Sequence, residues 1–433
     1  MQHTSLPRAQ RDLKSVSVKW KAAKMAALPL TDSELVHLLP ERQVVDHLVR
    51  FYFDAFEGTY RILHAPSFWE EYSSFWEDHQ SVNSAFVIIL LLTMATAMCT
   101  ADEDPRKYIG DSSLSRERAV LWIEASEWWL GRQSHKHIYL AAWQIRCLLL
   151  LAKQVNTVKK KRTWTVAGTL LREAMAAGFH RDPSSLAGKM SFFDTEMRRR
   201  LWTTITELEL LVSIDRGLPS SAGTPSDVGL ILNINDEDFD LNGDDAPTSK
   251  PWEEFTASSF LHISSFSFPL RLSLNSRVND VTSPLKYEEV LDFEEMVMKE
   301  LQRLPPRDKP GHGRGHGGMT LTATTLLDIQ LRQFLILLHA PFARQRSTNP
   351  RGSVSRMVCL NAAVSILEQY SQLEKSGSFL PLLLRQDCYR AALAICHNVY
   401  TSINIQGMLL LSLCSLLPSA SVRPSSAYAV ENR

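Results

Sequence analysis

The chain has 433 residues, 45% hydrophobic and 22% charged, with Gly 18 and Pro 20, a composition that excludes collagen-like and wholly disordered chains. Its 47 Lys+Arg cancel 47 Asp+Glu, so no global positive field draws it to nucleic acid or an anionic membrane, and any DNA contact must come from a local patch or a partner. The six cysteines (Cys99, Cys147, Cys359, Cys388, Cys396 and Cys414) show no C-x-x-C and no paired His spacing for zinc, and read as reduced, mostly buried thiols of an intracellular protein.

Length alone predicts two to three domains or one large helical unit. The start, MQHTSLPRAQRDLKSVSVKW, has no apolar stretch of a secretory signal. Residues 1–40 read as a basic flexible tail that ends in a short helix bracketed by Pro29 and Pro40. A helical region over 41–304 follows. Val44, Val45, Leu48, Val49, Tyr52, Phe53 and Phe56 recur at three and four, the mark of one buried helical face. Ser67 precedes an aromatic helix, FWEEYSSFW. SAFVIILLLTMATAMC (84–99) falls short of a span of about 20 apolar residues and reads as a core helix.

Helical patterning continues over 114–130, 138–155 and 163–177, with Gly178 as a left-handed cap. Ser191 and Asp194 resemble an acidic capping box opening a helix to about 214. That helix aligns Met197, Leu201, Ile205, Leu208 and Val212 in one stripe, with Arg198, Arg199, Glu207 and Glu209 expected mostly elsewhere. A loop-rich interruption, 217–251, divides the chain near its middle. Helices resume at 255 and over 287–304. PPRDKPGHGRGHGG (305–318) is a Pro/Gly linker. Helices over 320–338, 354–373, 380–403 and 408–417 form a C-terminal helical part, 319–417, of the same region, before a flexible tail, 418–433. No alternating strand runs or repeats stand out, so the fold class is all-α: a large multi-helix domain.

Several patterns half-match known chemistry. His180-Arg181-Asp182 has the letters of a kinase catalytic loop, but Ala187 stands where its Asn belongs and no D-F-G follows. Gly313-x-Gly315-x-x-Gly318, beside His312 and His316, lacks the strand that a dinucleotide loop needs in front of it. In NDEDFDLNG (235–243), Asp238, Asp240, Asn242 and Gly243 fit the first half of a calcium loop, and Asp236, Glu237 and Asp240 resemble an Asp-rich magnesium motif. Ser249 fails as the bidentate Glu, so the run reads as a solvated loop capping local turns. A helical metal- or small-molecule-binding enzyme using Asp236 to Asp240 stands as the alternative function. Lys159, Lys160, Lys161 and Arg162 are a nuclear-import candidate, since import receptors read exposed consecutive positive charge. Arg198 to Arg200 read as structural, with Leu201 and Trp202 anchoring the helix.

Taken together, YFDAFEGTYRILHAPSF (52–68), WTVAGTLLREAMAAGFHRDPSS (164–185), SFFDTEMRRRLWTTITELELLVSIDRGLPS (191–220), NINDEDFD (233–240) and LLHAPFAR (337–344) resemble the regulatory middle-homology domain of fungal zinc-cluster and zinc-finger transcription factors. The likeness covers roughly 40–400. It implies an all-α, non-enzymatic regulatory domain acting in the nucleus on RNA polymerase II-dependent expression, with His180, Arg181, Asp182, Pro183, Arg199, Arg200, Leu201 and Trp202 as structural family residues. The resemblance further implies protein partners of the transcription machinery, homo- or heterodimerisation with related regulators, effector response and no membrane, and it permits a setting in secondary metabolism. In family members this domain follows a zinc DNA-binding module; residues 1–40 contain no cysteine. Zinc is therefore expected only with a module upstream, and DNA is reached indirectly or through that module. The tail's Arg8, Arg11, Lys14, Lys19, Lys21 and Lys24 offer only weak, salt-sensitive phosphate attraction.

Overall fold

A computed structural model of the chain describes residues 8–9, 11–16, 18–19, 31–77, 83–101, 108–109, 112–133, 140–185, 190–241, 243, 246–305, 316–345, 349–375 and 387–416, the backbone alone at 101, 108–109, 316–320 and 404–416. The described residues are almost wholly helical. Residues 8–9, 11–16 and 18–19 are helical and exposed; a 3-10 turn, Asp32–Leu38, follows, with Leu35 fully buried. The packed core thus opens ahead of the boundary expected at 41: Leu35 docks the turn with Val36, Leu38 and Leu39 packed beside it, and the Leu38 carbonyl accepts Trp122 Nε1 at 3.0 Å.

Helix α1 (Arg42–Tyr52) buries Val45, Leu48, Val49 and Tyr52, the three-and-four spacing of one apolar face. It widens into a π-turn, Phe53–Glu57, and closes at Arg61, whose φ of 38° is left-handed. Helix α2 (Ala65–Glu77) adds Phe68, Tyr72 and Phe75. Helix α3 (Ser84–Ala101) is apolar all round and accordingly central, with Val87, Ile88, Leu90, Leu91 and Leu92 fully buried. Helices α1, α4 (Leu114–Arg132) and α5 (Leu140–Val155) pack around it. Tyr108–Ile109 and Ser112–Ser113 form a two-residue antiparallel pair, the one sheet among the described residues.

Helix α6 (Thr163–Ala176) ends where sequence places its glycine. Gly178 takes φ 78°, its N–H donates to the Met175 carbonyl and that of Phe179 to Ala174, both at 2.9 Å, a Schellman closure. Helix α7 (Phe192–Arg216) opens on Ser191, whose Oγ accepts the Asp194 N–H at 3.0 Å while its hydroxyl donates to Asp194 Oδ2 at 2.8 Å. Helix α7 belongs to two large cores and, through Phe193 and Met197, to a small cluster with Ile234 and Phe239. Leu201, Ile205, Leu208 and Val212 join the core built on α3. Leu210 and Ile214 join a second core from α8 (Ser259–Val278), α9 (Tyr287–Arg303), α10 (His316–Ala343), α11 (Pro350–Lys375) and α12 (Asp387–Leu416).

Two expectations need adjustment. The separate helices at 380–403 and 408–417 are one continuous α12, Asp387–Leu416, which runs through the Gly407 that divides them in sequence. Residues 316–318 of the expected linker are the first turn of α10; 306–315 lie outside the described residues, as do 20–30 and 417–433. Leu321–Ala343 is long and apolar enough to cross a membrane by length and composition, and 78% of its most apolar window is buried in the fold.

Candidate functional site

The charged residues in the body of α7, between its exposed ends Asp194 and Arg216, do not point to solvent. Glu196, Arg200 and Glu209 are 0% exposed and Glu207 is 5% exposed. The helix is wrapped on all sides, so its polar face meets other elements, and each charge taken from water must find a partner there. Arg198 and Arg199 remain half-buried.

Arg200 makes the central set of contacts. Its Nε donates to Glu196 Oε1 at 3.1 Å, Nη1 to Asp236 Oδ1 at 2.6 Å and Nη2 to Ser258 Oγ at 3.0 Å, and the guanidinium lies 4.8 Å from the Phe239 ring centre. Arg61 donates to the same Asp236 oxygen. The other Asp236 oxygen accepts the Ala65 N–H at 2.9 Å, and its carbonyl accepts from His64 Nε2 at 2.9 Å. That bond sets the His64 tautomer, with Nδ1 receiving the Ser67 hydroxyl at 2.7 Å. Asp236 therefore joins the α1–α2 turn to α7 and to the loop before α8. Burial pushes its carboxyl up, but the Arg61 and Arg200 guanidiniums outweigh that and hold it well below the usual carboxylate range.

Beside this pair sits Glu57, whose carboxylate accepts from Tyr52 Oη at 2.8 Å and the Leu63 N–H at 2.7 Å. Complete burial raises its pKa to about 7. Nothing in the sequence singled out Glu57 or Arg61. The available signal was a lone Arg inside the apolar run TYRIL, a pattern that recurs around Arg271 in FPLRLSL.

Along α7, Arg271 reaches Glu207 with two bonds, 2.9 and 2.6 Å, and its Nε donates to Ser267 Oγ at 3.0 Å. Glu209 accepts the Ser221 N–H at 2.9 Å and the Ser220 hydroxyl. These pairs fasten α8 and the chain after Gly217 to the same helix.

The His180 to Pro183 segment is a staple. Asp182 takes Arg199 Nε and Nη2 at 2.9 and 2.8 Å, the Gly229 N–H at 2.7 Å and the Ser184 hydroxyl at 2.6 Å. The Arg199 bonds hold its carboxyl far below its ordinary value. Arg181 pairs with Asp227 at 3.0 Å, and the His180 carbonyl accepts the Ser226 hydroxyl at 2.9 Å. Arg198 lies over the Phe179 ring at 4.2 Å and donates to the Gly178 carbonyl at 3.1 Å. Pro183, Leu201 and Trp202 are buried. A catalytic carboxylate needs room for substrate; Asp182 is committed to loop and helix.

The acidic run is the turn-capping loop expected, its carboxylates largely exposed except at Asp236, which is buried. Asp238 closes a capping box by accepting the Asn235 N–H at 2.8 Å, and Asp238 lies 3.7 Å from Lys250 Nζ. Asp240 is exposed, and Asn242 lies outside the described residues. No group of three or more His, Cys, Asp or Glu among the described residues could hold a metal ion, and the metal-using enzyme reading has no support. Zinc does not fit the thiols either. Burial pushes Cys147 above the ordinary thiol range and Cys359 up to about 12, so neither offers a thiolate. Contrary to the expectation of mostly buried thiols, Cys99 and Cys396 are exposed.

Lys159, Lys160, Lys161 and Arg162 are all exposed on the turn between α5 and α6. Lys159 is left-handed, φ 50°, with its Nζ 3.5 Å from Glu127, and Lys160–Arg162 is a 3-10 turn. Gly313, Gly315 and His312 lie outside the described residues; His316 and Gly318 begin α10.

The described residues thus form an all-α domain in which inward charges tie both large cores to one long helix. The profile of the fungal specific transcription factor domain matches residues 49–287, and the chain belongs to that family. Transcription factor opdR of Penicillium oxalicum is 30% identical over 431 residues, 96% of this chain and 52% of that protein. Transcription factor asR3 of Sarocladium schorii is 30% identical, over 76% of this chain and 40% of the relative. The equisetin cluster transcription factor eqxF of Fusarium heterosporum is 30% identical over 51% of this chain and 33% of its own length. The chain spans about half the length of the first of these relatives. No solved structure matches it.

Proposed function

We propose that the chain regulates transcription in the nucleus as a helical regulatory domain. It acts through protein partners of the transcription machinery, in a homo- or heterodimer with related regulators, and reaches DNA through a partner or a zinc module of a longer product. The observation that carries this reading is the family match over 49–287, which encloses the Asp236 and Asp182 clamps. Inward-facing charge suits a scaffold that holds one arrangement of helices for partners to read. Relatives named for metabolite clusters support target genes of secondary metabolism.

Tethering the full chain to a heterologous DNA-binding module upstream of a reporter should change reporter output. Output equal to that of the module alone sinks the regulatory reading. The exposed turn Lys159 to Arg162 serves as the import signal. Lys160→Ala with Lys161→Ala should abolish nuclear accumulation at an unchanged Tm; undiminished nuclear signal removes that role.

A further inference from the structure

Where the end of α9 meets α8 and α10, a pocket of about 260 Å3 opens beside the second core. Ile263, Leu327 and Leu331, all buried, form its apolar wall. Trp252 and Phe266 line it as well, although 40% and 52% exposed, so two large aromatic surfaces meet solvent at its mouth. Such a concavity, apolar with a few polar groups, suits a small organic molecule.

The polar groups narrow the class of ligand. Ser267 is committed, donating to the Ser264 carbonyl at 3.2 Å and accepting Arg271 Nε at 3.0 Å. The other two are Glu300 and Arg303, joined at 2.6 Å through Arg303 Nη1, with the arginine side chain 75% exposed and the glutamate 18%. Glu300 engages one end of the guanidinium, leaving Nε and Nη2 to donate to an incoming anion. Ring faces at the mouth and a planar donor fork beside them match an apolar body with one charged group.

We propose that this pocket binds a small organic anion, its apolar rings against Ile263, Leu327 and Leu331 between Trp252 and Phe266, and its anionic group on Arg303. Treating that molecule as an effector rests on the regulatory reading above; its binding does not. Ser267 lines the pocket and holds Arg271, the partner of Glu207 on α7. Occupancy thereby reaches the helix that both cores share.

The test uses two fluorescent probes on the full chain: 8-anilino-1-naphthalenesulfonate, and N-phenyl-1-naphthylamine, which has the same rings without the sulfonate. Both should bind at one saturable site. Arg303→Gln should weaken the sulfonate about tenfold and leave the neutral probe within about twofold. Leu331→Trp, which fills the pocket, should abolish both. Should that variant not fold, Trp252→Ala and Phe266→Ala, at the exposed mouth, should each weaken both probes at an unchanged Tm. Unsaturable fluorescence, or binding indifferent to the mouth variants, overturns the site. Equal loss of both probes in Arg303→Gln overturns the anionic assignment. A silent reporter with this probe pattern intact would defeat the regulatory reading alone; a responsive reporter with binding indifferent to the variants would defeat the pocket alone.

Discussion

Asp236 accepts from two guanidiniums and a backbone N–H, and each of those donors is buried or half-buried. Removing its charge takes away the carboxylate that Arg61 and Arg200 share and leaves Arg200 with Glu196 alone inside the fold. Asp236→Asn should therefore cost about 3–5 kcal/mol, the usual consequence of breaking a buried pair, read by chemical denaturation; a loss below about 1 kcal/mol would show that the pair contributes nothing net. Arg61 adds a backbone cost, since a left-handed non-glycine residue persists only where its surroundings hold it. The carboxyls also give the protein a two-sided pH profile. Asp182 and Asp236 lie below their ordinary value in the fold, so their contribution is complete above about pH 4 and is lost as pH falls below it. Glu57 has the opposite sign. Its folded pKa of about 7 against an ordinary 4.5 makes the fold bind a proton that the unfolded chain releases, so stability falls as pH rises between those values. Glu57→Gln should flatten Tm against pH between about 5 and 7 and leave the acid limb intact. A profile identical to that of the parent chain would refute the shift.

At the scale of elements, α7 decides the architecture. Its start and stop are local events: the Ser191 cap at one end and the Gly217 closure, φ 62°, at the other. Its stripe of Met197, Leu201, Ile205, Leu208 and Val212 is fully or almost fully buried, as the helical period implies. Trp202 fills space between this helix and the first core, so Trp202→Ala should destabilise by about 3–5 kcal/mol through the cavity it leaves. Unchanged thermal unfolding would remove Trp202 from the core. Periodicity leaves the remaining face undecided, because it locates an apolar stripe but is silent on what covers the opposite side. Glu196, Arg200, Glu207 and Glu209 are covered by the loop at 218–258 and by α8, neither of which has a local signature of covering α7. Arg61 and Asp236 stand 175 positions apart, beyond the reach of any spacing rule.

Over the whole molecule, two cores meet on one helix. Arg271 is the ion-pair bridge from α8 to Glu207. Arg271→Ala leaves Glu207 buried and unpaired, and amide exchange in α10 and α11 should accelerate while that of α3 holds. Equal acceleration in both cores would mean that they unfold as one unit. The helices, their caps, the mid-chain loop and the family were legible in the sequence, because period, capping chemistry and the HRDP, RRRLW and NINDEDFD segments are short-range patterns. The pocket was not, because Trp252, Phe266, Leu331 and Arg303 come from four segments that only packing assembles. Sequence by itself determined what is set within a few turns of chain: where helices begin and end, and which face is apolar. Tertiary structure alone decided which charges go inside and with whom they pair, since burial and pairing depend on distant segments arriving at the same place.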